Sequence, residues 1–176
     1  MGMFVNTVSF LRPKDGSWDV KRLRIREAME HFDLEPEEIR LHDCEKGCCL
    51  LDLYGEYGGV FRGLAECISQ ILGDYSVFAS CVDSDFNQLV LYHNGQELDC
   101  CAIGNVYDEF MEMGLVGKPD LAQWSRLVSD GVEQEKLKDV LLGCETLAEN
   151  QLRALSGLTG LPIFDDKAFF AEIEGE

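Results

Sequence analysis

Asn94-Gly95 stands between two runs of strand-forming residues, Phe86 to His93 and Gln96 to Cys101. A two-residue hairpin of type I′ needs positive φ at both central positions, and Asn-Gly meets that need most easily. The dipeptide therefore predicts an antiparallel hairpin and, with it, a register. His93 would face Gln96, Leu91 would face Leu98, and Leu89 would face Cys100 on one side. On the other, Tyr92 would face Glu97 and Val90 would face Asp99. The first set is mostly apolar and is expected to lie under helices, with Cys100 as a core thiol. The second is mixed and is expected to be wetter.

Tyr75 to Val82 reads as the strand before, with Asp83-Ser84 as its turn, so the hairpin extends to a three-strand meander. Phe4 to Leu11 reads as a first strand, although Phe4, Thr7 and Ser9 break clean alternation. Pro13 and Gly16 then interrupt the chain, and Ser17 is placed to cap a helix carrying Trp18, Ile25, Ala28, Met29 and Phe32. Lys21, Arg22, Arg24 and Arg26 lie beside that stripe, either as a solvated face or as partners for acidic groups of the same chain. Residues 39–42 and 49–53 read as a strand pair around Glu45-Lys46-Gly47, with Gly47 free to take positive φ. Gly55, Gly58 and Gly59 open a helix with an apolar stripe from Phe61 to Leu72, and Gly73 ends it.

After Ile103 the period changes. Val106, Phe110 and Met113 predict a short helix; Pro119-Asp120 starts a second, carrying Leu121, Trp124, Leu127 and Val128. A third runs from about residue 132 to Gly143, and a fourth from about 145 to Gly157, before Pro162 and an acidic tail. The expected fold is one α+β domain over residues 1–176. Its mostly antiparallel sheet contains the meander, helices pack on one face, and further helices follow; residues 1–104 form the sheet and 105–176 are mainly helical.

Charge bears on function. The chain has 33 Asp and Glu against 15 Lys and Arg, a net charge of −18. Such a chain repels nucleic-acid phosphates and anionic membranes. Between Arg62 and Lys118 there is no Lys or Arg at all, while nine Asp and Glu occur there. That segment would present an anionic surface, serving either solubility or a basic protein partner. The N-terminal residues lack signal-peptide character and no segment is apolar enough to span a membrane, so a cytoplasmic protein with reduced thiols is expected.

Asp83 and Asp85 fit three roles: turn residues whose side chains bond nearby backbone, an anionic binding edge, or a divalent-metal or acid–base pair. Cys44-x₃-Cys48 with His42 and Cys49 matches half of a zinc pattern, a redox pair, or ordinary reduced cysteines; of the adjacent Cys100 and Cys101, only one could join a site. His31, His42 and His93 lie in no nucleophile motif, and Gly55-x-x-Gly58-Gly59 lacks the lysine of a phosphate loop.

Asp83-Ser84-Asp85, followed by Leu89-Val90-Leu91-Tyr92-His93-Asn94-Gly95, resembles a strand-turn-strand core of small acidic bacterial α+β proteins. Some of these are immunity proteins encoded beside secreted toxins. The resemblance covers about residues 40 to 115. It implies a bacterial cytosolic binder and supplies no catalytic residues. The leading expectation is therefore a non-enzymatic inhibitory module without a cofactor. Asp83, Asp85, Glu97, Asp99, Asp108, Glu109 and Glu112 would pair with Lys and Arg of a basic partner such as a toxin domain. Tyr92 would be an aromatic anchor. Two other expectations compete: a metal-dependent hydrolase built on Asp83, Asp85 and His42 or His93, and a structural subunit that associates with copies of itself.

Overall fold

Val5–Leu11 (β1) is buried along nearly its whole length, and that burial organises the sheet. β1 pairs antiparallel with Gly47–Asp52 (β3) on one side and Tyr75–Val82 (β4) on the other. Leu41–Asp43 (β2) adds to β3; Phe86–His93 (β5) and Gln96–Gly104 (β6) complete the meander beyond β4. The result is one six-stranded antiparallel sheet in the order β2-β3-β1-β4-β5-β6. The computed structural model describes residues 3–34, 39–105, 117–143 and 147–174. The helix expected around Val106, Phe110 and Met113 lies outside the described residues.

Trp18–His31 (α1) and Gly58–Leu72 (α2) cover one face of the sheet. There Ile25, Phe61, Leu64 and Ile68 pack against Val8, Phe10, Phe78 and Val90. The other face meets the later helices: Leu121–Trp124 (α3), Gly131–Leu142 (α4), Ala148–Thr159 (α5) and Asp166–Glu174 (α6). Trp124, Leu137, Leu141, Leu152 and Leu155 close over Val77, Leu89, Leu91 and Cys101. The α+β class, the meander and the C-terminal helices are as expected. The wetter face is not: Val90 and Tyr92 lie under α1 and α2, at 0% and 2% exposure. Because both faces are covered, the imperfect alternation of β1 makes sense. Thr7 and Ser9 face the later helices, and their hydroxyls donate to the carbonyls of Ile163 and Val77.

The β5–β6 register departs from expectation after two pairs. His93 faces Gln96 and Tyr92 faces Glu97, but Leu91 faces Asp99, Val90 faces Cys100 and Leu89 faces Cys101. A β-bulge at Leu98 puts an extra residue in β6. Everything after it changes face, so Cys101, not Cys100, is the core thiol opposite Leu89. The turn itself is as read: φ is 50° at Asn94 and 75° at Gly95. Asp83 and Ser84 repeat the pattern at the other end of β5, with φ of 50° and 58°.

Three local expectations are corrected. Ser17 does not cap α1; its hydroxyl and its N–H both donate to Asp15. Gly47 is not a positive-φ residue. It is small because a Cβ there would lie 2.2 Å from the carbonyl oxygen of Phe10. The fourth predicted helix runs on through Gly157 and stops at Gly160, whose φ of 73° ends it. The acidic tail, to which the sequence assigned no element, forms α6.

Asp52 explains the glycine-rich entry to α2. Its buried carboxylate accepts hydrogen bonds from Asn6 Nδ2 at 2.8 Å and from the N–H groups of Tyr54 and Tyr57 at 3.2 and 2.7 Å. The helix start is thus occupied by a carboxylate of the chain itself, where a phosphate loop would hold its ligand. Replacing Asp52 by alanine takes this acceptor from the buried Asn6 amide and from the part-buried N–H groups of Tyr54 and Tyr57. Denaturant unfolding of Asp52→Ala is expected to show a loss of about 1–3 kcal/mol, the cost of stranding the buried Asn6 amide.

Candidate functional site

The bulge and the sheet order decide which of the expected site residues meet. Glu97 is beside the Asn94-Gly95 turn, on the α1–α2 face. Arg62 on α2 donates from Nη2 to Glu97 Oε2 at 2.8 Å and from Nε to the Tyr92 hydroxyl at 3.4 Å. The hydrogen bond to Glu97 holds the Arg62 guanidinium above its usual pKa. Tyr92 is no exposed anchor, and burial raises its phenol pKa. Asp99, two residues beyond Glu97, has crossed to the opposite face through the bulge. Its Oδ2 accepts from Trp124 Nε1 at 2.7 Å and from the Asp120 N–H at 3.0 Å. Glu97 and Asp99 therefore make their contacts within the molecule, on opposite faces of the sheet.

Asp83 and Asp85 lie at the far end of β5, about 25 Å from Glu97 at ~3.3 Å per strand residue. Their turn is pinned on both sides. Ser84 exchanges hydrogen bonds with Met3, its N–H donating to Met3 O at 3.2 Å and its Oγ accepting from Met3 N–H at 2.9 Å. Ser84 O accepts the Ala148 N–H at 3.0 Å, at the first residue of α5. Asn87, fully buried, donates to Ala148 O at 2.7 Å. The start of α5 is thereby fixed against the turn.

That contact brings in Glu149, which sequence reading did not single out. The Cys81 thiol, on β4 just before the turn, is pushed up to about 12, chiefly by burial and then by the charges of Glu149 and Asp85. Glu149 Oε2 is buried without a hydrogen-bond partner among the described residues. So Asp85 of the turn and Glu149 of α5 both lie near Cys81 at one end of the sheet, with Asp83 on the same turn. Asn105 leaves β6 at the same end, its N–H donating to Asp85 O at 2.9 Å. Asp108, Glu109 and Glu112 follow it in sequence and lie outside the described residues.

The hydrolase constellation is not assembled. His93 closes the opposite end of β5, its ring 4.4 Å from that of Tyr75. His42 is on β2, the edge strand beyond β3 and β1, and pairs with Glu172 of α6 at 2.5 Å. The zinc pattern is split as well. Cys48 faces α1 and α2 and donates to Asp43, Cys49 faces the later helices, and Cys100 and Cys101 sit four strands away on β6. Among the described residues no three His, Cys, Asp or Glu are grouped to hold a metal ion. The seven described cysteines are free thiols.

No protein-family model matches the chain, and neither does any curated protein or solved structure. No helix among the described residues is long and apolar enough to cross a membrane.

The two displaced acidic residues differ in what they support. Glu97→Gln loosens a largely exposed ion pair and is expected to cost at most about 1 kcal/mol. Asp99→Ala strands the indole N–H of a fully buried tryptophan and is expected to cost about 1–3 kcal/mol. Paired urea titrations of the two variants check this order.

Proposed function

We propose that the protein is a non-enzymatic binding module that neutralises a basic protein partner through the acidic end of its sheet. The observation that carries this reading is the charge pattern: a net charge of −18, with no Lys or Arg between Arg62 and Lys118. The turn of Asp83 and Asp85, at the end of the sheet where Glu149 lies, belongs to this anionic chain and is pinned by Met3 and α5. A pinned turn has little freedom left to lose when a partner binds. Within this reading the contact surface comprises Asp83, Asp85 and Glu149; Asp108, Glu109 and Glu112 lie outside the described residues. Glu97 and Asp99 act inside the molecule. A toxin domain with a phosphate-binding cleft is the class of partner whose positive charge suits such a surface.

Affinity capture from the source cell with immobilised protein, followed by binding kinetics on the captured partner, tests this. Asp83→Lys with Asp85→Lys is expected to slow association about 10- to 100-fold, the scale of electrostatic steering. Association of the unaltered protein is expected to collapse near 1 M salt, where the screening length is about 3 Å. A captured partner whose association rate is indifferent to both the charge reversal and salt contradicts the proposal.

A further inference from the structure

The sulphurs of Cys44 and Cys49 lie 3.6 Å apart across the β2–β3 pair. Register explains the approach. Cys49 is directly opposite His42, and Cys44 follows His42 by two residues and shares its face. Cys48, between them in sequence, turns to the other face and donates to Asp43 Oδ1. The two thiols differ in access. Cys44 is half-buried and lines a cleft of about 840 Å³ with His42, Arg153, Asp165 and Lys167. Cys49 is fully buried behind it.

We propose that Cys44 and Cys49 are a reversible dithiol–disulfide pair, with Cys44 as the entry thiol and a low-molecular-weight disulfide as the oxidant. The Cys44 thiolate attacks one sulphur of the oxidant. The oxidant's S–S bond breaks, one thiolate leaves, and a mixed disulfide remains on Cys44. Cys49 passes its proton to a departing thiolate and attacks the Cys44 sulphur, which expels the second small thiol. Two protein thiols thereby lose two electrons and two protons, and the oxidant becomes two thiols. The sulphurs close from 3.6 Å to a bond of about 2.05 Å, a displacement across a three-residue edge strand. The hydrogen bond with Cys44, and then burial, hold the Cys49 thiol well above the usual pKa, which keeps Cys49 as the second nucleophile. The product cross-links β2 to β3 beside the His42–Glu172 contact with α6.

The test uses the folded full chain and glutathione disulfide, with acid quenching, alkylation and digestion by trypsin without reduction. Trypsin cuts after Arg40, Lys46 and Arg62, so Cys44 falls in residues 41–46 and Cys49 in residues 47–62. The expected product joins these two peptides, with fragment ions placing the bond at Cys49. It is expected to replace the glutathione adduct on Cys44, while the half-buried Cys67 and Cys100 retain any glutathione they take up, because the Cys44 adduct has a neighbouring thiol that resolves it. Cys48→Ala leaves the link intact, and Cys49→Ala traps glutathione on Cys44. A lasting adduct on Cys44 in the unaltered protein overturns the proposal. So does a bond through Cys48, or the absence of any disulfide joining residues 41–46 to residues 47–62.

Discussion

β1 can be buried on both faces only if each face of the sheet has its own layer of helices. Val8 and Phe10 point one way and need α1 and α2; Val5, Thr7 and Ser9 point the other way and need the helices after β6. The chain meets this demand in sequence order. It builds one covered face with the first two helices, completes the meander, and then returns across the open face with Trp124, Leu152 and Leu155. The last layer is tied to the first strand directly, through the Thr7 hydroxyl and the carbonyl of Ile163. Half-covered, the sheet would expose Leu89, Leu91, Cys101 and Ile103, an apolar patch of the kind that drives aggregation.

The acidic end follows from this arrangement. α5 packs on β5, and its first residues meet the Asp83-Ser84 turn, so covering the second face is also what places Glu149 beside Asp85. The β6 bulge works in the opposite sense for the other acidic positions. It splits Glu97 from Asp99, giving one to Arg62 and the other to the Trp124 indole. A single extra residue in an edge strand thus decides that Glu97 serves one face of the sheet and Asp99 the other.

Local features of the sequence were read well where the physics is local. Asn94-Gly95 and Gly73 occupy positive-φ positions that their residue types favour, and Asp83-Ser84 is the turn its place before β5 predicts. The helix stripes of α1 and α2 were equally legible, since helical spacing depends on nearest neighbours alone. The misreadings share a cause. A bulge leaves no mark on alternation when Leu98-Asp99-Cys100-Cys101 is compatible with either register. The burial of Tyr92 depends on α2, 20 to 34 residues earlier in the chain. Gly47 looked like a turn glycine, yet its size answers a carbonyl on β1. Glu149 carried no signal, because its neighbourhood is created by a contact between α5 and a turn more than 60 residues away.

The central claim is that the Asp83–Glu149 end of the sheet is the surface that recognises positive charge. Backbone amide shifts of the isotope-labelled protein, followed while a lysine-rich peptide is added at low salt, test it most directly. The account predicts the largest changes at residues 83–85, 105 and 147–149, with little change at Arg62 and Glu97. Changes centred on Arg62, Glu97 and the Asn94-Gly95 turn, or spread evenly over every acidic side of the molecule, would contradict it.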